Sequence, residues 1–175
     1  TDTDSDTDTD TDIALAAELI ISELVDHDTE PGARFLEIYN GTGASVSLDD
    51  WTIQRYANGS TTALNVSLSG GTIADGDTWL VAANQGNFEG EFGVGVADQF
   101  NGSISGNGDD AWAIAFMGTV VDVYGVIGTD GTGEDWEYED SVAIRNGSVS
   151  APTDTFNVTQ WTITAGSGAA TPGVR

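Results

Sequence analysis

A chain of 175 residues with 29 Asp plus Glu against four Arg and no Lys carries a formal charge of −25. That acid excess all but excludes nucleic-acid and other phosphate-binding roles, which depend on cationic side chains that release counterions. The absence of Cys excludes disulfides, thiolate nucleophiles, CxxC redox chemistry and cysteine-zinc sites together, and apolar runs such as Ala111–Met117 fall far short of the ~20 residues that span a bilayer.

The hydrophobic fraction of 39%, with 5 Trp, 4 Tyr and 6 Phe, suits the core of one domain of ordinary size. Residue 1 is Thr and the only Met is Met117, so the chain is expected to come from a longer precursor by processing or excision. High acidity without Lys fits a salt-rich or calcium-rich exterior, and a secreted or cell-surface location is the expectation.

Residues 1–12, TDTDSDTDTDTD, hold six of the acids and no apolar residue, so alone they bury too little surface to offset ordering. Their two-residue period would place Thr and Ser on one face of a strand and Asp on the other. The apolar bridge that follows continues the alternation through Ile13, Leu15 and Ala17, the expected assembly residues. Residues 1–19 therefore read as an arm or linker and residues 20–175 as the domain.

From Ile20 the pattern is β. Runs rich in Val, Ile, Thr, Trp and Tyr, separated by Gly, Asn and Asp clusters, predict nine short strands: Ile20–Val25, Arg34–Tyr39, Trp51–Tyr56, Ala63–Leu68, Thr78–Ala82, Ala111–Phe116, Val120–Tyr124, Ser141–Ile144 and Gln160–Thr164. Nine such runs without a long amphipathic helix favour an all-β sandwich. Alternation in the second run sets Phe35, Glu37 and Tyr39 against Leu36 and Ile38, with Glu37 expected as a carboxylate on the solvated face. His27, the only His, sits in the acidic loop Asp26–Glu30 and is expected to be exposed.

The order of several segments resembles the lamin-tail domain, an immunoglobulin-like β-sandwich family. Ile20-Ile21-Ser22-Glu23-Leu24, Phe35-Leu36-Glu37-Ile38-Tyr39-Asn40-Gly41-Thr42 and Val46-Ser47-Leu48-Asp49-Asp50-Trp51-Thr52-Ile53 match its opening. Gly71–Asp77 with Leu80-Val81-Ala82 looks like its middle turn and strand. Gly106–Ile114 followed by Gly118–Gly125 looks like its late hairpin. The resemblance spans roughly residues 20–165 and implies a binding or structural module of the extracellular bacterial or archaeal type, with no catalytic residues to carry over. Family members of that type often sit beside secreted nucleases, phosphatases or surface anchors.

Candidate chemistry is sparse. No GxSxG accompanies His27, so nucleophilic catalysis is not expected. Glu134, Asp135, Glu137, Glu139 and Asp140 crowd around Trp136 and Tyr138, a composition that suits an exposed loop, a calcium site or a sugar face. Asp130, Glu134 and Asp135 on a Gly-rich backbone, with the doublet Asp109 and Asp110, are the metal candidates, and calcium is the expected cation. At strand entrances, Asp49-Asp50 and Asp109-Asp110 also suit turn hydrogen bonds. Six of the nine Asn, at 40, 58, 65, 101, 146 and 157, open Asn-x-Ser/Thr sequons and are glycosylation candidates, although Asn40, Asn58, Asn101 and Asn146 precede Gly and also fit hairpin turns.

The function expected is a non-enzymatic extracellular structural or adhesive subunit that self-associates, as a homo-oligomer or filament, through its N-terminal arm, with surface polysaccharide as a further partner. The alternative is an accessory ligand-binding module of a larger secreted enzyme, with recognition by exposed Trp79, Trp112, Trp136 or Trp161.

Overall fold

A computed structural model describes residues 19–68 and 70–175. In chain order these form β1 (Ile20–Val25), β2 (Phe35–Tyr39), β3 (Val46–Ser47), β4 (Trp51–Tyr56), β5 (Leu64–Ser67), β6 (Thr72–Ile73), β7 (Thr78–Ala82), the helix α1 (Gln85–Phe92), β8 (Gln99–Phe100), β9 (Ala111–Phe116), β10 (Thr119–Tyr124), β11 (Ser141–Arg145) and β12 (Trp161–Ala165). All nine predicted strands form, shifted by a residue or so at their ends. The additions are β3, β6 and β8, whose two residues carry no readable period, and α1.

Two sheets make the sandwich. One has the order β12-β11-β1-β2-β7-β8, the other β10-β9-β4-β5, and β3-β6 forms a small ribbon. Pairing is antiparallel except for β7 with β8. Between the sheets Leu24, Leu36, Ile38, Val81 and Ala143 meet Trp51, Ile53, Val66, Trp112, Ile114 and Val123 in one buried cluster.

The outer face of the six-stranded sheet is not solvated, which corrects the reading of Glu37. Val25, Phe35, Leu80, Ala82 and Val142 lie on that face under Phe88 of α1, with Phe92, Val96 and Ala169 packed around them. The helix has the modest sequence QGNFEGEF; Asn84 caps it by accepting the Asn87 N–H at 3.2 Å. Phe88 and Phe92, one turn apart, both meet the edge of Phe35, with ring centroids 5.7 and 5.6 Å from it. Glu37 shares this covered face and is fully buried.

A buried polar knot ties the two sheets. Asp122 sits where β10 shifts register against β9, and Ile21 sits where β1 shifts against β2. The Ile21 N–H donates to Asp122 Oδ2 at 2.9 Å, and the Thr153 N–H donates to Oδ1 at 2.8 Å. Arg145 of β11 pairs with the same carboxylate, donates to Gln160 Oε1 at 2.7 Å and stacks on Trp161. Asp122 and Arg145 are both buried, so each depends on the other for its desolvation to be tolerated.

Asp122→Ala strands the Arg145 charge in the interior and is expected to cost about 3–5 kcal/mol in urea unfolding. Truncation of the exposed Asp135 to Ala is expected to stay within about 0.5 kcal/mol.

Candidate functional site

The acid-rich segment 130–140 is built around aromatic anchors rather than around a ligand. Trp136 and Tyr138, read from sequence as a candidate sugar face, are core residues, each 2% exposed. The Tyr124 hydroxyl donates to the Trp136 carbonyl at 2.6 Å, and Trp112 Nε1–H donates to the Tyr138 hydroxyl at 2.7 Å. The Tyr124 ring meets Trp136, Tyr138, Phe156 and Trp161 edge-on. At Gly108, φ is +90° and a Cβ would lie 2.2 Å from the Glu139 nitrogen, so the loop closes only over glycine.

The five metal candidates do not converge. Asp130, Glu134 and Asp135 are exposed. Asp130 accepts the Thr132 N–H at 3.0 Å as a turn cap. Asp109 Oδ2 accepts from Asn107 at 3.1 Å and from Thr132 at 3.4 Å, while its Oδ1 is buried without a partner. Asp110 Oδ1 accepts the Asn58 N–H at 2.9 Å and Oδ2 lies 3.5 Å from Arg55 Nε. Among the described residues no three acids or His gather as a metal-holding group.

His27 is buried, not exposed as its acidic loop suggested. Its Nδ1 accepts the Glu30 N–H at 3.1 Å, and its ring packs edge-on against Phe92. This nitrogen, engaged with the backbone, serves the loop and leaves no free base there.

The sequons divide sharply. Asn40 is fully buried, and its Nδ2 donates to the Ala44 and Ile73 carbonyls at 2.7 and 2.8 Å. A glycan would replace one of those two donor hydrogens on a side chain with no exposed surface, so Asn40 leaves the candidate set. Asn146 Nδ2 donates to the Thr159 carbonyl, and Asn101 caps a turn through Ser103. Asn58, Asn65 and Asn157 are exposed. Asn58 has φ +48°, as a hairpin-turn Asn would.

Two surfaces bear on assembly. On β12 the Asn146 N–H to Gln160 carbonyl and Gly166 N–H to Asp140 carbonyl bonds put the even-numbered residues into the ladder with β11. Ile163 and Ala165 therefore direct their backbone groups outward. The edge segment Trp161-Thr162-Ile163-Thr164-Ala165 carries no charge and no Pro, the usual devices that blunt an edge. A mainly apolar groove of about 230 Å³ is lined by Val123, Val126, Ile127 and Phe156 with Asp154 and Thr155, and Val126 and Ile127 are exposed. The proposed assembly residues Ile13, Leu15 and Ala17 lie outside the described residues.

Sequence reasoning missed the buried acids altogether: Glu23, Asp26, Glu37, Asp110 and Asp122 are all within 2% of complete burial. One signal was present. In IISELV both faces of the strand carry apolar residues, the mark of a strand covered on both sides.

Comparison with known families gives one match, to the family model described as Lamin Tail Domain, over residues 14–128. That span runs through β10 and stops before β11, β12 and the C-terminal segment. No curated protein matches the chain, and among the described residues no helix is long and apolar enough to cross a membrane.

Of the five Trp, Trp51, Trp112, Trp136 and Trp161 are buried and Trp79 is half-buried. Acrylamide is therefore expected to quench a minor part of the Trp fluorescence, and Trp79→Phe to remove most of that part. Equal quenching in the variant and the parent would contradict the placement.

Proposed function

The chain belongs to the lamin-tail domain family, a non-catalytic immunoglobulin-like family, and from that premise we propose that it is a non-enzymatic structural or adhesive subunit, working outside the cell and self-associating through its N-terminal arm. The observation that carries this reading is the direction taken by the chemistry-bearing side chains, which is inward. The one His and the buried carboxylates hold backbone N–H groups and Arg side chains. The Trp residues form no exposed platform, which weighs against the accessory carbohydrate-binding alternative.

Self-association draws support from the unblunted β12 edge and from the groove of Val126, Ile127 and Phe156. An arm with Thr or Ser at every second position suits strand addition to such an edge. Ile13, Leu15 and Ala17 of a second copy, alternate in the sequence, match the groove lined by Val126, Ile127 and Phe156 in polarity. Donation from each copy to the next is heterologous and extends into a filament where it does not close. The surface acids repel between copies, so in this reading salt favours assembly by screening, and calcium favours it beyond an equal ionic strength of monovalent salt by bridging carboxylates of two copies.

Light scattering of the full chain against a variant lacking residues 1–18, with calcium or with chelator at equal ionic strength, tests the proposal. The full chain is expected to give larger particles that grow with calcium, and the truncated chain to stay monomeric. Equal particle sizes for the two proteins, or a full chain that remains monomeric at high concentration, would sink it.

A further inference from the structure

Two glutamates face each other on the outer side of the six-stranded sheet. Glu23 of β1 and Glu37 of β2 are register partners, flanked by Ile144 of β11 and Leu80 of β7. The row across the sheet therefore reads apolar, acid, acid, apolar. The next row, Val142, Val25, Phe35 and Ala82, is wholly apolar and lies beneath α1. Like charges directly opposite on neighbouring strands repel, and among the described residues no Arg or His forms an ion pair with either glutamate.

What covers them is a C-terminal strap, Thr171–Arg175. The Thr171 N–H donates to Glu23 Oε1 at 2.9 Å and the Thr171 hydroxyl to Oε2 at 3.0 Å. The Gly173 N–H donates to Glu37 Oε2 at 2.7 Å, while Ser22 Oγ donates to Oε1 at 2.7 Å. At its end the strap is fastened by Arg175, whose guanidinium lies over the Tyr39 ring and donates to the Val149 carbonyl. Other charged groups around the pair are Asp77 and Asp98, which line the cleft beside Gly173, and His27 with Glu91, which face each other at α1. Arg175 is the cation whose field reaches Glu37.

We propose that Glu23 and Glu37 form a proton-operated latch: the strap lies closed over protonated carboxyls, each O–H turned to a hydroxyl that then accepts it, Thr171 Oγ1 for Glu23 Oε2 and Ser22 Oγ for Glu37 Oε1, and loss of their protons drives the strap to lift so that both charges reach water. Burial, the largest cause, pushes each carboxyl up to about 7 from an ordinary 4.5, and the charge of Glu37 adds to the effect on Glu23; together they outweigh the hydrogen bonds of Thr171 to Glu23 and of Ser22 and Gly173 to Glu37, which pull the other way. A lifted strap hydrates both groups and returns them toward the ordinary value. Between those two values the closed form holds more protons than the open one. Closure is therefore fully favoured below about pH 4.5 and weakens as pH rises through about 7. This is opposite in sign to an acid held by a salt bridge, whose stabilisation grows with pH. The strap lies outside residues 14–128, the span matched to the family, so the latch joins a family strand pair to a segment beyond that match.

Amide hydrogen exchange of the full chain at about pH 5.5, 7 and 8.5, corrected for intrinsic rates, tests the latch. Protection of Thr171 and Gly173 is expected to fall at least about tenfold across that range, while Ile38 in the sheet core stays unchanged. The double variant Glu23→Gln, Glu37→Gln keeps the acceptors without the charges and is expected to give a flat profile. A flat profile in the parent, or a parent-like profile in the double variant, overturns the proposal. If the double variant does not fold, a carbon-13 titration of the parent glutamate carboxyls decides. Midpoints near 7 support the latch, and ordinary carboxylate midpoints for both groups overturn it.

Discussion

The sandwich depends on one buried carboxylate. Asp122 belongs to the four-stranded sheet, yet two of its three partners, the Ile21 amide and Arg145, belong to the six-stranded sheet, and the third, the Thr153 amide, belongs to the β11–β12 connection, whose Thr153 carbonyl also accepts the Val123 N–H of β10. Hydrophobic contact between the sheets is broad and tolerant of sliding, whereas a charge in the interior has one position in which all its partners are met. The two register shifts, on β1 and β10, are where the backbone departs from regular pairing to make that position. Asp122 thus fixes the relative placement of two sheets that apolar packing alone would leave less sharply defined.

The same economy runs through the rest of the chain. All four Arg side chains are engaged inside the molecule. Arg34 meets Asp26, Arg55 meets Asp110, Arg145 meets Asp122, and Arg175 closes the strap over Tyr39. The buried acids staple loops to strands, as when Asp26 takes the Asp140 N–H and Asp98 takes the Leu80 N–H. With every Arg turned to internal use, no Arg is left to offset the surface acids, which makes any self-association sensitive to screening ions.

Alternation and turn residues made the sheets legible in the sequence. Runs such as Trp51–Tyr56 and Ala111–Phe116 appear as strands because β-branched and aromatic residues repeat at period 2 between Gly and Asp clusters. The buried acids were not legible, because what makes burial tolerable lies far away in the chain. The partners of Asp122, Glu23 and Glu37 at Ile21, Thr171 and Gly173 are 101, 148 and 136 positions distant. A carboxylate among aromatics then reads as surface, as Glu37 did. α1 was hidden for a local reason: two Gly in QGNFEGEF depress its helix propensity, and only the packing of Phe88 and Phe92 on Phe35 makes it form. Asn40 looked like an acceptor for glycan because a sequon records neighbours and not burial.

The lamin-tail frame spends its polar side chains on holding itself together, and the β12 edge and the strap lie outside the matched span. Both hang on the Asp122 knot, since Arg145 is on β11, which pairs with β12, and Ile21 is on β1, whose Glu23 holds the strap. The most direct test is native-state hydrogen exchange of the Ile21 and Thr153 amides in a rising series of denaturant. If Asp122 holds the sheets, both amides exchange only through global unfolding, with the full denaturant dependence of the core. Exchange through local fluctuation, insensitive to denaturant and faster than that of Ile38, would contradict the account.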